Sequence, residues 1–449
     1  MAEGYLRYLM ASLDGPKVMR QITLLFALVV FAIPAVAQDL TAIKTGQLID
    51  VDLGEVRANQ VILIRGERIE AIQSAGAPLP KGATIIDLSA YTVAPGLIDG
   101  HTHIADPIQT ASSADPLTTS AAQNAFTGVR QARATLMAGF TAVRDVGTFR
   151  AFVDAALRDA INDGTVIGPR MKVAGAYVTV SSGGGEVTGL APDVVPPPDF
   201  RRGVANSASE VRQRVRELLN GGADFIKIIA TGAVLAPGTQ PGAPEYTEEE
   251  VRAAVEEAGN YGTLVAAHAH GAEGIKRAVR AGVRSIEHGS LADDEALRLM
   301  KERGTWLVAD IWNGDYIDSV GTRDHWPEEI LRKNRETTET QRTAFRKAVS
   351  LGINIAYGTD SGVYPHGLNA TQLRYMVKYG LTPMQAIQSA TINAARMMGW
   401  DGQIGSLAAG KYADIVAVQG DVIKDIGRFR SVAFVMKGGV VVKPLAIGR

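Results

Sequence analysis

From residue 96 to residue 360 the chain repeats one pattern, a short apolar run followed in most cases by an amphipathic stretch of helical period. The runs are "GLIDGHTH" (96–103), "TAVRDV" (141–146), "RMKVAG" (170–175), "FIKIIA" (225–230), "LVAAHA" (264–269), "SIEHG" (285–289), "TWLVAD" (305–310) and "NIAYGTD" (354–360). Apolar runs of this length read as buried strands. Between them, "SEVRQRVRELLNGG" puts Val211, Val215, Leu218 and Leu219 on one helical face, with Gly221 or Gly222 as the stop. "YTEEEVRAAVEEAGNYG" opens with Thr247 and Glu250 at capping-box spacing, ahead of an apolar face through Val251 and Val255. Eight alternations over roughly 260 residues match the size of a (β/α)8 barrel. A doubly wound sheet would alternate too, but the chain has no glycine fingerprint for a nucleotide. The expectation is therefore an α/β fold with a TIM barrel over residues 95–404.

The two ends read differently. "QVILIRGERIEAIQ" is a hairpin turning at Arg65-Gly66-Glu67, and "ADIVAVQGD" and "SVAFVMKGGVVV" are strands with a tight turn at Gly438-Gly439. Residues 38–94 and 405–449 are expected to form one small β-sandwich domain jointly. Two Gly- and Pro-rich stretches, 181–200 and 231–244, follow predicted strand ends, where a barrel keeps its active site. They read as lids or substrate walls.

The formal net charge of −1 offers no basic field for nucleic acid and no acidic field for a basic partner. With no cysteine, disulfides are excluded and any metal site must use His, Asp, Glu or Lys. "MRQITLLFALVVFAIPAVAQ" has a charged start at Arg20, an apolar run from Ile22 to Ile33, and Ala35 and Ala37 at A-x-A spacing. That is the layout of a secretory signal peptide over residues 1–37, cut after Ala37, with Met19 as the expected start. A retained N-terminal anchor is the other reading, though the run is short for a membrane span. The expected location is periplasmic or secreted.

Lys227 is the anomaly of the fourth run, a charge inside "FIKIIA". His101 and His103 alternate on one strand and so share a face. Of seven histidines, four (101, 103, 268, 288) fall at ends of predicted barrel strands, with Lys227 and Asp360 on two others. Core histidines would not gather at one rim, so these residues point to a shared metal site. A lysine buried there would have a lowered pKa, and its neutral amine can add CO2 to give a carbamate, an anionic ligand able to bridge two metals. A lysine paired to a carboxylate, or reaching up to the barrel mouth, is the plainer reading.

The pieces "APGLIDGHTH", "GADFIKIIATG", "AAHAHG", "SIEHG", "YGTDSG" and "GSLAAGKYADIVAV" together resemble the amidohydrolase superfamily over essentially all of residues 40–449. Within it, "GADFIKI…ATGAV" and "VRAGVRSIEHGS" look most like the prolidase-like branch, which includes carboxypeptidases and ochratoxin-degrading amidases. The resemblance implies that His101 and His103 hold a first divalent metal, His268 and His288 a second, and carbamylated Lys227 bridges them. Asp360 would bind the first metal and act as general acid and base on a bridging water. Zinc suits the imidazole and oxygen donors, with manganese or cobalt as substitutes. His270 is expected as a substrate contact, or as support for the metal site. Tyr177, Tyr364 and His366 lie on loops near the predicted mouth, and Trp312 with Tyr316 could wall a bulky acyl group. Two departures matter. Relatives carry Gly-Gly-His after the third strand and a tyrosine two residues past the fifth-strand histidine; here Ser182-Gly183-Gly184-Gly185 and His270 stand in those places.

The function this implies is hydrolysis of the amide bond in N-acyl amino acids or dipeptides with a free carboxylate, ochratoxin-type aryl amides included. A cyclic amide or lactone is the second reading and a non-catalytic binding protein the third. The expected partners are a small-molecule substrate and further copies of the chain in a homo-oligomer, an octamer among the options. No nucleic acid and no stable membrane span are expected.

Overall fold

The computed structural model describes residues 40–106 and 114–446. The expected signal peptide lies outside the described residues. The N-terminal strands are β1 (Leu40–Asp50), β2 (Glu55–Ala58), β3 (Gln60–Arg65), β4 (Arg68–Ser74) and β5 (Thr84–Pro95). The central ones are β6 (Leu97–Thr102), β7 (Phe140–Asp145), β8 (Arg170–Val173), β9 (Tyr177–Val178), β10 (Ile226–Ile229), β11 (Val265–Gly271), β12 (Ser285–Leu291) and β13 (Trp306–Val308). The C-terminal ones are β14 (Ile415–Gln419), β15 (Val432–Lys437) and β16 (Val440–Lys443).

Both chain ends enter one eight-stranded sheet, in the order β16-β15-β14-β5-β1-β3-β4 with β2 on β1. Both expected hairpins are present, Arg65 facing Arg68 and Lys437 facing Val440. Gly438 and Gly439 take φ of 54° and 76°, the paired positive values that a two-residue hairpin turn needs. A Cβ on Gly439 would lie 2.1 Å from the Gly66 carbonyl oxygen, so the two hairpin turns meet where only glycine fits. Ile43, Ile62, Leu88, Ile415 and Phe434 are buried together in a cluster that joins the two ends.

The central strands are all parallel, in a three-stranded sheet β6-β7-β8 and a five-stranded sheet β13-β12-β11-β10-β9. Eight helices follow in turn: α1 (Ala121–Met137), α2 (Val153–Asn162), α3 (Ala208–Asn220), α4 (Glu248–Asn260), α5 (Ala272–Ala281), α6 (Asp294–Arg303), α7 (Asn313–Arg323) and α8 (Glu328–Leu351). Three shorter helices lie between α8 and β14. In α3, Val211, Val215 and Leu218 are fully buried, and Gly222 takes the left-handed conformation (φ 104°) just past its end. In α4, Thr247 and Glu250 form a complete capping box.

The third and eighth expected strands depart from the pattern. Gly175 (φ 76°) bends the chain after β8, and β9 follows as a separate two-residue strand. Residues 354–360 form no continuous strand. Asp360 adopts φ of 57°, which breaks an extended ladder. Parallel bridges Leu307–Ile355 and Thr102–Ser361 nevertheless set this segment between β13 and β6.

Candidate functional site

The last residues of the parallel strands surround a cavity of about 140 Å³. His101, His103, Lys227, His268, His270, His288 and Asp360 all line it, as does Tyr177. Both Gly/Pro-rich loops contribute walls, through Gly184–Thr188 and Ala233–Pro237. Phe149, Val187, Ile229, Leu235 and Ile317 make its apolar side. Lys227 is the sole lysine or arginine among the described lining residues.

Two groups of three donors form within this lining. Ligand atoms of His101, His288 and Asp360 lie within 4.8 Å of one another, and so do those of His268, His270 and His288. His288 belongs to both. His101 Nε2 is 3.3 Å and His103 Nε2 3.1 Å from the same oxygen, Asp360 Oδ1. His101 Nδ1 donates to Glu287 Oε2 at 2.8 Å, and His103 Nδ1 lies 3.0 Å from the Gly147 carbonyl, which can only accept. Each Nε2 therefore faces the same carboxylate oxygen, a contact that either a proton on the ring nitrogen or a cation between nitrogen and oxygen satisfies. Burial opposes ionisation of Asp360, but His101 and His103 hold its carboxyl well below the usual range. Burial lowers the His101 pKa, while at His103 burial is outweighed by Asp360, which raises it. Two imidazoles that give up their ring protons beside an ionised carboxylate are a donor set that fits a divalent cation.

The backbone is shaped for this convergence. His288 (φ 70°) and Asp360 (φ 57°) are two of the few non-glycine residues in the left-handed region, a cost retained where geometry serves a site. His288 Nδ1 donates to Asp310 Oδ1 at 3.1 Å, and Asn313 Nδ2 donates at 3.0 Å to both Asp310 Oδ2 and Asp360 Oδ2.

Lys227 is 2% exposed, and no hydrogen bond or ion pair joins it to any described residue. The plainer reading, a lysine paired to a carboxylate, is therefore not met among the described residues. Burial, with the Arg144 charge adding to it and Glu287 opposing, brings its pKa down to about 8. That shift brings the neutral amine within reach at mildly alkaline pH, where an ordinary lysine stays charged.

His270 is drawn into the second donor group, with its Nδ1 on Ser290 Oγ at 2.8 Å. Tyr177 donates its hydroxyl to the Gly147 carbonyl at 3.0 Å, beside His103 Nδ1. Trp312 and His366, the other expected substrate contacts, are not among the residues that line this cavity. Trp312 is the N-cap residue just before α7 and packs on Tyr364, ring centres 4.4 Å apart, and on Tyr316 at 5.9 Å. His366 is buried behind His103, with Nδ1 on Thr135 Oγ1 (2.9 Å) and Nε2 donating to the His103 carbonyl (3.2 Å). Sequence reasoning missed Arg144, Glu287, Asp310 and Asn313. Arg144 and Glu287 carried the same signal as Lys227, a charge inside an apolar run.

Fold and site together define an α/β enzyme with a histidine-rich centre suited to divalent metal. Residues 92–444 match the amidohydrolase family, and the chain belongs to it. Ochratoxinase from Aspergillus niger is 32% identical over 432 residues, spanning 91% of this chain and 88% of that protein. The crystal structure of a Xaa-Pro dipeptidase with bound methionine in the active site matches with a TM-score of 0.85 at 39% identity, covering 90% of this chain and all of that one. The A. niger ochratoxinase structure matches with a TM-score of 0.82 at 31% identity, covering 92% and 97%. The protein is a hydrolytic enzyme acting on amide bonds. No helix among the described residues is long and apolar enough to cross a membrane.

Proposed function

We propose that the protein cleaves the amide of N-acyl amino acids or dipeptides with a free C-terminal carboxylate, aryl amides of the ochratoxin type included, at a two-metal centre. One observation carries this reading: two donor groups share His288 around an unpaired, buried Lys227. His101, His103 and Asp360 would hold one ion, and His268 and His288 the other. Lys227, after adding CO2 and releasing a proton, would bridge them. Two divalent ions, zinc by donor type, would polarise the scissile carbonyl and lower the pKa of a water beside it.

Asp360 is ionised and oriented through Oδ2 by Asn313. It takes the proton of the attacking water and delivers it to the departing amine nitrogen. Tyr177 and His270 line the same cavity as contacts for the substrate, and the apolar side accepts the acyl group. The names of the relatives support the substrate class: one structure is a Xaa-Pro dipeptidase with an amino acid bound, and two matches are to an ochratoxinase.

On the same reading, the segment through Ile355 and Ser361 closes a (β/α)8 barrel over residues 95–404. Residues 38–94 and 405–449 are its β-sandwich companion. Secretion after cleavage of residues 1–37 and assembly as a homo-oligomer complete the proposal.

The test is amino-acid release by the zinc-loaded protein from a panel of N-acyl amino acids, with the same compounds amidated at the carboxylate alongside. Cleavage of the free acids alone supports the reading. Cleavage of neither set rejects it in favour of cyclic amides or lactones.

A further inference from the structure

Glu287 is fully buried on β12, next to His288, and both of its carboxylate oxygens are engaged. Oε2 accepts from His101 Nδ1 at 2.8 Å. Oε1 accepts from Arg144 Nη2 at 2.7 Å and from Ser285 Oγ at 2.5 Å. Arg144 is equally constrained, since its Nε donates to the Gly100 carbonyl at 2.7 Å and its Nη1 to Ser285 Oγ at 3.0 Å. The network therefore ties β6, β7 and β12 together beneath the cavity, and every charge in it has a partner, as burial requires.

We propose that Glu287 is a positioning residue for the metal centre, fixing the His101 ring and tautomer so that Nε2, and not Nδ1, is presented to the ion. An imidazole can rotate by half a turn about its Cβ–Cγ bond and exchange its two nitrogens, and a neutral ring can carry its proton on either. A buried carboxylate on Nδ1 removes both freedoms, because it accepts and cannot donate. It also raises the basicity of the other nitrogen, as outer carboxylates do for metal-bound histidines. Arg144 keeps the carboxylate in place and charged. Asp360 Oδ1 stands 3.3 Å from the Nε2 so presented, which is where the ion's other donors converge.

This inference rests on the reading of His101 as a metal ligand, and the experiment separates the two. Zinc affinity would be measured by chelator competition for the wild-type protein, Glu287→Gln and His101→Ala, with folding followed by near-UV circular dichroism. A cobalt-substituted sample of each would report ligand geometry by its visible spectrum. Glu287→Gln is expected to weaken one of the two ions about 10- to 100-fold, shift the cobalt spectrum and leave the other ion bound. Should Arg144 left without its carboxylate prevent folding, the double variant Arg144→Met, Glu287→Leu removes both charges together and is expected to show the same selective loss. Wild-type zinc affinity in either folded variant, with His101→Ala impaired, overturns the role of Glu287 and leaves the metal reading standing. Wild-type affinity in His101→Ala overturns the metal reading, and this proposal with it.

Discussion

Lys333, fully buried on α8, donates through Nζ to the Ala236 carbonyl at 2.8 Å and so fastens a wall of the cavity to a helix nearly a hundred residues further along. The same ammonium reaches the Thr239 carbonyl (3.1 Å) and Glu329 Oε1 (3.0 Å). Residues 231–244 have the Gly and Pro content of a loop that would not hold one shape alone, and Lys333 supplies the missing constraint. Lys333→Met keeps the side-chain length and removes the donors. The expected outcome is a raised KM with a smaller change in kcat, and a loss of about 2–3 kcal/mol in stability from hydrogen bonds to a charged group. Steady-state kinetics and urea denaturation of the variant check it. An unchanged KM would show that the wall holds its position without the lysine.

Trp312 gives the opposite expectation. Its ring is half-buried against Tyr364 and Tyr316 and away from the cavity lining. Trp312→Ala is expected to cost about 2 kcal/mol in stability through lost packing, with KM within twofold of wild type. A tenfold rise in KM at unchanged stability would return Trp312 to the substrate site.

Much of the centre was legible in the chain because strand alternation is a local rule. His101 with His103, and His268 with His270, share a face by period two alone. Lys227 stood out because a charge in an apolar run demands a reason. Arg144 and Glu287 made the same demand, but their answer is each other, across 143 positions of sequence, and no local pattern links them. Asp310 and Asn313 lie where β13 gives way to α7 and neither periodicity applies. The packing of Trp312 on Tyr364 and Tyr316 was not legible either, because a loop aromatic next to a predicted site gives no sign of which way its ring turns. The eighth strand was misjudged for a conformational reason: the left-handed Asp360 that presents the carboxylate to both histidines also interrupts the ladder.

Glu245 links the two walls of the cavity, since its carboxylate accepts from the Gly184 amide at 3.0 Å. Burial raises its pKa to about 7, against that hydrogen bond, from an ordinary value of 4.5. A carboxyl with a raised folded-state pKa binds its proton more tightly in the folded protein. Its contribution to stability is complete below pH 4.5 and is lost as pH rises through about 7. Glu245→Gln cannot ionise. The melting temperature of the variant is therefore expected to gain on wild type between pH 4.5 and 7 and to hold a constant lead above that. A difference that stays flat across the window would mean that Glu245 titrates normally.

The bridging role proposed for Lys227 makes the most demanding prediction. The side chain is buried and unpaired among imidazoles, and its pKa near 8 leaves enough neutral amine for CO2 to add. On the proposed reading, Lys227→Ala removes the anionic bridge while leaving the histidines and Asp360 in place. Bound metal and activity should both fall, activity by several orders of magnitude, because the water loses its activation and the cavity loses the anion between the ions. The deleted side chain leaves room for a small carboxylate, so acetate or propionate at millimolar concentration should restore part of both. Metal content by mass spectrometry and turnover with and without the acid are the readouts. Wild-type metal content and activity in Lys227→Ala would exclude a bridging carbamate. Loss without rescue by any short acid would instead mean that the lysine acts as an amine.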